Sequence, residues 1–271
     1  MKKLLDVARE AARLAGKTLL ASYGKLDHSQ ISMKAKNDFV TEIDKRSEAL
    51  IIRTIKKYFP GHAIQGEETG VSAGKGTLWI IDPLDGTSNY IHSLPIFSVS
   101  IGILQDNQLK AGLIYDPIHQ EIFHAEKGKG AYLNKKKIHV SKVRSMPDAL
   151  MATGIPFRAR DRFDEYIRSF RKISLGTVGM RRGGSAALDL AYVACGRFDG
   201  FWELDLSPWD IAAGALILEE AGGKITDMWG TGDYLKNGDV LATNGLIHSE
   251  LRKITARIFT RSNKDKRCHL S

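Results

Sequence analysis

Two carboxylates stand three residues apart where an apolar run ends, and such a pair could bind a metal ion. Residues 78–81 are typical of a short buried strand, and Asp82 and Asp85 follow it. We expect Pro83 to end the strand pairing, so that both acids lie in a loop beyond the strand. Like charges held this close are costly unless a cation lies between them, and oxygen-only ligands favour Mg²⁺, Mn²⁺ or Ca²⁺ over zinc. An ordinary surface turn could have the same five-residue sequence, so the choice between a metal site and a turn depends on other parts of the chain.

The residues that follow the acid pair could receive an anion. Gly86 is free to take an unusual backbone angle, and Thr87 adds a hydroxyl. If these two residues open a helix, their backbone amides point the positive end of the helix at an anion beside the metal. The stretch therefore predicts a site for a metal ion together with a phosphate.

Three further acids stand at the ends of predicted elements. Asp44 and Asp210 fall in the first turns of two helices, and Glu67 follows a short strand at 62–66. Each of these acids also has a simpler explanation than metal binding. Asp44 and Asp210 could complement the dipoles of their helices, and Glu67 could lie on the solvated surface. No His or Cys joins the acids in ligand spacing. The signatures of zinc hydrolases, Ser-His-Asp acyl transfer and P-loop NTPases are absent.

The periodicity of apolar residues predicts the elements that must position these side chains. Helices are predicted at 4–23, 43–59, 160–172, 185–195, 207–222 and 247–260. Strands are predicted at 62–66, 78–81, 96–104, 109–115, 120–125, 197–203, 224–228 and 239–242, with a hairpin over 128–142. The segments 31–44 and 70–76 are expected to be irregular. Antiparallel sheet therefore dominates the first half, and strands alternate with helices from residue 148.

Composition indicates an ordinary globular chain without a membrane segment. Of its 271 residues, 43% are hydrophobic and 26% charged, which is compatible with one large core or two closely packed subdomains. Acids at Asp6 and Glu10 interrupt any signal-peptide core, and no apolar run reaches spanning length. Cys195 and Cys268 offer no disulfide framework. We therefore expect a cytoplasmic protein in a reducing compartment.

The positive charge is concentrated at the C-terminus. Residues 250–271 carry seven Lys or Arg against two acids, and so account for five of the nine net positive charges. A solvated, frayed tail over 261–271 is the simpler interpretation, and contact with RNA or another polyanion is the sharper one.

Two long motifs resemble the signature of the inositol monophosphatase family. They are Trp79-Ile-Ile-Asp82-Pro-Leu-Asp85-Gly-Thr87-Ser-Asn89 and Trp209-Asp210-Ile-Ala-Ala-Gly214. The resemblance continues, in the family's order, in the segments 38–44, 66–68, 153–157 and 184–187. The resemblance covers roughly residues 4–260. Two long motifs in the family's order are highly specific, and they remove the alternative that residues 82–86 form an ordinary surface turn.

The resemblance implies a fold and an activity. The fold would be a layered α/β/α/β sandwich, of α+β type with mixed, largely antiparallel sheets. Residues 1–260 would form one catalytic unit, with subdomains of about 1–145 and 146–260. The activity would be that of a Mg²⁺-dependent phosphomonoesterase of the lithium-sensitive type, usually a homodimer.

The resemblance also assigns metal ligands. Glu67, Asp82 and the backbone carbonyl of Leu84 would hold one Mg²⁺, and Asp82, Asp85 and Asp210 would hold a second. A third, weaker ion would lie near Glu67. Because the loop 69–77 is short, the resemblance leaves the presence of this third site undecided. Two ions about 4 Å apart would supply the charge neutralisation that in-line hydrolysis of a phosphate monoester needs.

The remaining implied roles concern water and substrate. Thr87, paired with Asp44 and helped by Glu67, would orient and deprotonate the attacking water, and the amides of Gly86 and Thr87 would receive the phosphate. The other implied substrate-binding residues are Asp85, Gly184, Ala186, Glu203 and Asp210. Either Lys34 or Lys36 would lie near the phosphate.

Substrate choice stays open within the family. Inositol-1-phosphate or a related small sugar phosphate is the leading candidate, because an acid such as Glu203 accepts hydrogen bonds from polyol hydroxyls. Fructose-1,6-bisphosphatase, histidinol-phosphate phosphatase and nucleotide 3′-phosphatase activities are the alternatives. A different class of function is an RNA-binding or transcription-complex partner that uses the basic tail.

Overall fold

The computed structural model describes residues 3–25, 31–35 and 38–260, with the backbone alone for 31–35 and 38–41. Its helices are α1 (Leu4–Ser22), α2 (Glu42–Tyr58), α3 (Thr87–Ile91), α4 (Phe163–Ser174), α5 (Ala186–Ala194), α6 (Pro208–Glu220), α7 (Tyr234–Asn237) and α8 (His248–Ile258). Its strands are β1 (Ile31–Ala35), β2 (Asp38–Thr41), β3 (Ala63–Gly66), β4 (Gly70–Ser72), β5 (Thr77–Asp85), β6 (Ser98–Gln105), β7 (Gln108–Asp116), β8 (Glu121–Glu126), β9 (Ala131–Leu133), β10 (Lys136–Ile138), β11 (Leu150–Thr153), β12 (Gly179–Arg181), β13 (Gly200–Glu203), β14 (Lys224–Thr226) and β15 (Val240–Thr243).

Two sheets form the framework. The larger has the order β10-β9-β8-β7-β6-β5-β3-β4 and is antiparallel except where β3 runs parallel to β5. The smaller has the order β12-β11-β13-β15-β14, with β11 parallel to both β12 and β13. Several of the predicted site residues lie where strands of both sheets end.

Helices fill the space around and between the sheets. The helices α1 and α2 cover one face of the large sheet, where Trp79 and Ile81 of β5 are buried. The helices α5 and α6 lie between the sheets, against Ile80 on one side and Phe201 on the other. The helices α4 and α8 cover the far face of the small sheet, around Trp202. The predicted layered sandwich is confirmed, with this outer helical layer in addition to the four that were expected.

The helix α6 is apolar around most of its circumference and approaches the large sheet closely. Its positions from Asp210 to Leu218 are all buried, as expected for a helix enclosed between two sheets. A Cβ added at Gly102 of β6 would lie 2.6 Å from the Ala212 Cβ, and one at Gly112 of β7 would lie 2.7 Å from the Ala213 carbonyl oxygen. Glycines on the sheet therefore allow this close contact.

Several predictions of local structure were wrong. The strand predicted at 78–81 extends over Thr77–Asp85, because Pro83 falls in an irregular stretch of the ladder and pairing resumes at Asp85. The segments expected to be irregular contain the antiparallel hairpin β1–β2 and the strand β4, which pairs with β3. The short strand β12 was not predicted. Each of these missed strands has three to five residues, too few for an apolar period to be visible.

Some predictions concern parts of the chain that the structure does not describe. The basic tail 261–271, with Cys268, and the position Lys36 lie outside the described residues, as does the side chain of Lys34. Over the described ranges, none of the helices combines the length and the apolarity that crossing a bilayer would require.

Candidate active site

The carboxyl end of β5 is bent so that two acids reach one cleft. Asp82 pairs with Ser100 of β6 and Asp85 pairs with Ser98, so three steps along β5 match two steps along β6. Residues three apart on a regular strand point to opposite faces, and this bulge removes the alternation. Asp82 and Asp85 both line the same cleft and are 2% and 8% exposed.

The third acid arrives from the first turn of α6. The Ser207 amide donates to Asp210 Oδ2 at 2.8 Å, and Arg158 Nη1 lies 3.5 Å from the same oxygen. Asp82, Asp85 and Asp210 each offer a carboxylate oxygen, and these oxygens lie within 4.8 Å of one another. This three-carboxylate cluster can hold a hard cation, because all its donors are oxygens.

The electrostatics of the cluster favour a positive partner. Burial raises the pKa of Asp82 well above its usual range, and the charges of Glu67, Asp85 and Asp210 raise it further. Burial and then Asp210 raise the pKa of Asp85 to about 7, although the Ser185 hydroxyl and the Ala187 amide, at 2.9 Å, both donate to its Oδ2. Carboxylates crowded in this way are stabilised as anions by a cation between them.

Glu67 stands beside the cluster. Its amide donates to the Ile81 carbonyl at 3.2 Å, which fixes the end of β3 against β5 immediately before Asp82. Its side chain is half-buried and lines the cleft, although it lies outside the three-carboxylate cluster. The acid predicted as a metal ligand is therefore close to the cluster and more exposed than its members.

A hydroxyl and a buried acid meet at the start of α3. Thr87 Oγ1 lies 3.1 Å from Asp44 Oδ1 and 3.0 Å from the Leu84 carbonyl oxygen, and it can donate its single proton to either. Asp44 is 1% exposed, so it has a role beyond the surface capping that its position in α2 could suggest. Gly86, between the acid pair and this hydroxyl, has a φ of 96°, in the left-handed region.

The opposite wall of the cleft comes from the small sheet. Glu203 ends β13, and burial followed by the charge of Asp210 raises its pKa to about 8, although Arg182 and Arg158 act in the opposite sense. A Cβ at Gly154 would collide with the Glu203 carboxylate. A side chain at this position would therefore displace the Glu203 carboxylate.

Most of the predicted site residues meet in this cleft, which has a volume of about 100 Å³. The predicted residues that line it are Glu67, Asp82, Leu84, Asp85, Gly86, Thr87, Gly184, Ala186, Glu203 and Asp210. Asp44 reaches the cleft through its contact with Thr87. The choice between Lys34 and Lys36 falls outside the described residues.

Sequence reasoning missed four polar side chains at or behind the cleft. Ser185, which bonds Asp85, stands inside a motif that pointed to its neighbours Gly184 and Ala186. Arg158 and Arg182 line the cleft from loops. Asp189 of α5 is 3% exposed, and burial and then Glu203 raise its pKa. Only the first could have been found from its motif, because the other three depend on long-range packing.

Fold and site together define a layered α/β protein with a candidate cation site at the join of its two sheets. The chain belongs to the inositol monophosphatase family, whose model matches residues 1–264.

Individual relatives resemble the chain over nearly its whole length. The protein named Nus factor SuhB of Pseudomonas aeruginosa is 45% identical over 250 residues, which are 90% of this chain and 92% of that protein. An inositol-1-monophosphatase of Mesorhizobium japonicum is 41% identical over 252 residues, 92% of this chain and 95% of that protein. The crystal structure of the extragenic suppressor protein suhB from Bartonella henselae superposes with a TM-score of 0.91 at 38% identity, covering 94% of this chain and 99% of that one.

Proposed function

We propose that the chain is a Mg²⁺-dependent phosphomonoesterase that hydrolyses a small phosphorylated polyol, with inositol-1-phosphate as the first candidate. The observation that carries the proposal is the buried three-carboxylate cluster of Asp82, Asp85 and Asp210, which opens into the cleft. Membership of the inositol monophosphatase family supports the reaction class. The relative from Mesorhizobium japonicum, named for this activity, supports the substrate.

The donor set fits Mg²⁺. Asp82, Asp85 and Asp210 would hold one ion, and Glu67 with the carbonyl of Leu84 would complete a second site that shares Asp82. The family resemblance would add a third, weaker ion near Glu67. When bound, Mg²⁺ would neutralise phosphate charge and lower the pKa of a coordinated water.

Thr87 and Asp44 would orient the attacking water. When the Thr87 hydroxyl donates to Asp44, its oxygen keeps lone pairs that can accept a hydrogen bond from water. As that hydroxyl takes a proton from the water, the Asp44 carboxylate can accept the hydroxyl's own proton. The amides of Gly86 and Thr87, which lie beside the cluster, would receive phosphate oxygens.

The far wall would bind the alcohol half of the substrate. Glu203 can accept hydrogen bonds from hydroxyls of a polyol, and Arg158 and Arg182 lie close enough to its charge to oppose its protonation. Gly184 and Ala186 also line the cleft, and their small side chains contribute little bulk to it. A carboxylate that accepts hydrogen bonds from hydroxyls favours a polyol over a nucleotide.

Phosphate release across a substrate panel tests the proposal. We expect Mg²⁺-dependent release from inositol-1-phosphate to exceed release from fructose-1,6-bisphosphate, histidinol phosphate and adenosine 3′,5′-bisphosphate. Asp82→Asn and Asp210→Asn should each lower kcat/KM by at least 100-fold, because each removes a charge that the cation requires. Full activity in both variants would refute the metal assignment, and a different preferred substrate would change only the substrate assignment.

A second proposed role is that of a transcription-complex partner. It is supported by the printed name Nus factor SuhB, which the relatives from Pseudomonas aeruginosa and Escherichia coli share. RNA contact through the basic residues 261–271 would be one route. Deleting those residues and measuring RNA retention at two salt concentrations tests that route, since retention that is equally weak with and without them would remove it.

A homodimer and a cytoplasmic location complete the proposal. Both follow from the family resemblance and the composition. Light scattering on the purified protein would measure the mass of the assembly directly, and a mass of 30 kDa, that of one chain, would contradict the dimer.

A further inference from the structure

One face of α2 contacts three separate segments of the candidate site. Asp44, Ser47 and Glu48 share this face, because they are three and four residues apart, and each is at most 1% exposed. Asp44 bonds the hydroxyl of α3 described above. Ser47 Oγ donates to the Pro83 carbonyl at 2.9 Å, within the bulge of β5. Glu48 contacts the third segment, which carries Glu67.

The Glu48 carboxylate is enclosed by the backbone around Glu67. Its Oε2 accepts the Glu68 amide and its Oε1 accepts the Thr69 amide, each at 2.9 Å. On the other side, a Cβ added at Gly66 would lie 2.6 Å from Oε2. Residues before and after Glu67 are therefore packed against one carboxylate.

The cost of burying this carboxylate indicates a specific purpose. An ionised acid that is fully buried is strongly unfavourable unless it receives charge-assisted hydrogen bonds, which here come from two backbone amides. An apolar side chain could fill the same space and would leave the loop without these bonds. Glu48 is not among the residues that line the cleft, so contact with substrate does not explain it.

We propose that Glu48 is a positioning residue that holds the segment 66–69 so that Glu67 faces Asp82, and that it thereby sets the affinity for the cation. The inference rests on the proposed Mg²⁺-dependent function and deepens it. Glu67 needs such support because its own side chain is half-buried at the end of a four-residue strand beside the sheet edge. Its amide donates to the Ile81 carbonyl of β5.

Glu48→Gln is the sharpest test, because it keeps the shape and changes one acceptor into a donor. The Gln amide has one oxygen for two backbone N–H groups, and its NH₂ would face the second of them. The readout is Mg²⁺ affinity of the substrate-free protein by titration calorimetry. We expect the affinity to fall about 10- to 100-fold, the range typical of residues that orient metal ligands.

Asp227→Asn is the matched control. Asp227 is also buried, at 3% exposed, and its Oδ1 accepts two backbone amides, those of Trp229 at 3.0 Å and Thr231 at 2.8 Å. It does not line the cleft. We expect this variant to lower the Tm as Glu48→Gln does while leaving Mg²⁺ affinity within twofold of wild type, which separates positioning from general stability.

The outcomes are distinct for the inference and for the proposed function. Glu48→Gln with Mg²⁺ affinity within twofold of wild type overturns the inference. If that variant does not fold, Glu48→Asp takes its place, because it keeps the charge and retracts it by one methylene. We expect its Mg²⁺ affinity to fall at least threefold, and an affinity within twofold of wild type would again overturn the inference. A wild-type protein that binds Mg²⁺ and releases no phosphate from any substrate of the panel overturns the function and leaves the inference standing.

Discussion

The Thr87 hydroxyl joins two parts of the chain that are far apart in sequence. It lies 3.1 Å from Asp44 of α2 and belongs to the first residue of α3. Either acid–hydroxyl pairing or simple helix capping could require a small polar side chain here. The two roles differ in what they predict for substitution.

Thr87→Val should abolish most activity without changing the shape of the site. The variant keeps the branched side chain and loses the hydroxyl that would orient water, so kcat should fall about 10²- to 10⁴-fold, the range for a lost proton-transfer group. KM and the Mg²⁺ requirement should stay within threefold in steady-state phosphate release. Thr87→Ser keeps the hydroxyl and should retain at least a tenth of wild-type kcat. Equal activity in Thr87→Val and Thr87→Ser would contradict the assignment.

Individual site residues were predictable where an acid stands at the start or the end of an element. Asp82 and Asp85 follow an apolar strand, and Asp210 lies in the first turn of a capped helix. Glu203 and Ala186 came from family resemblance alone. Asp189 and Arg182 carried no such signal, because an acid inside a helix and an arginine in a loop are usually solvent-facing. The burial of Asp189 depends on packing between α5 and β13, and the position of the exposed Arg182 at the cleft depends on its loop, which no local pattern encodes.

At the scale of elements, the junction between β5 and α3 depends on one glycine. Gly86 has a φ of 96°, and a Cβ there would lie 2.9 Å from the Ile96 carbonyl oxygen. Left-handed backbone and close approach therefore act at the same position. A matched position exists at Gly222 after α6, where φ is 90° and nothing lies within 4 Å of the added Cβ.

Gly86→Ala should cost more than Gly222→Ala and should affect activity. The left-handed conformation alone costs an alanine about 1–2 kcal/mol, which both variants share. Gly86→Ala adds the contact with the Ile96 carbonyl, so α3 must shift and Thr87 with it. We expect urea denaturation to show a larger loss of unfolding free energy for Gly86→Ala, and phosphate release to fall at least 10-fold in that variant alone. Loss of activity in Gly222→Ala would show that strain of a left-handed backbone is enough to lower phosphate release without the contact to Ile96.

The element predictions were right where the pattern was long. The helices α1 and α2 and the meander β6–β8 each have an apolar period visible over several residues, and α6 was predicted from Ser207-Pro208 at its start and Gly222-Gly223 at its end. The end of β5 was wrong because a proline normally ends a ladder, and here the bulge accommodates it. The strand β4 was missed because it is exposed at all three positions, so no apolar alternation marks it.

At the scale of the whole molecule, one buried histidine should make stability depend on pH. His248 is 2% exposed, and its ring nitrogens lie 3.1 Å from Thr226 Oγ1 and 3.0 Å from Thr243 Oγ1. Thr226 already donates to the Asp227 carbonyl, so it accepts from Nε2–H, and Nδ1 accepts from Thr243. Both contacts fit the neutral ring. Burial, with the charges of Lys224 and Arg252, lowers the pKa of His248 to about 4.

The sign of the pH effect follows from this lowered pKa. The unfolded chain takes up the proton near pH 6.5 and the folded chain only near pH 4, so stability falls as the pH drops through this window. The full loss would be on the order of 3 kcal/mol. Urea denaturation between pH 7 and pH 4 should show this loss as the difference in slope between wild type and His248→Gln, because the raised pKa values of Asp85 and Glu203 add an opposite slope that both proteins share. The exposed His139, changed to Gln, is the control and should leave the wild-type slope intact. Equal slopes in all three proteins would refute the assignment.

The layered architecture as a whole was predictable through family resemblance, and less so from periodicity. An antiparallel meander followed by alternating strands and helices favours mixed sheets, but it does not say that α5 and α6 lie between them. The outer layer of α4 and α8 was not predicted for the same reason. Stacking order depends on which face of each sheet a helix covers, and that choice is made by long-range contacts.

The glycines beneath α6 link the packing of this helix to the geometry of the three-carboxylate cluster. Ala213, against Gly112, is one turn from Asp210, about 5 Å along the helix axis. A methyl group added at Gly112 would push α6 away from the large sheet, and the helix would tilt as a rigid rod because both its faces are enclosed. Asp210 would then move relative to Asp82 and Asp85, which stay with β5. Side-chain volume on the sheet, at positions that do not line the cleft, would therefore change the spacing between the carboxylates of the cluster.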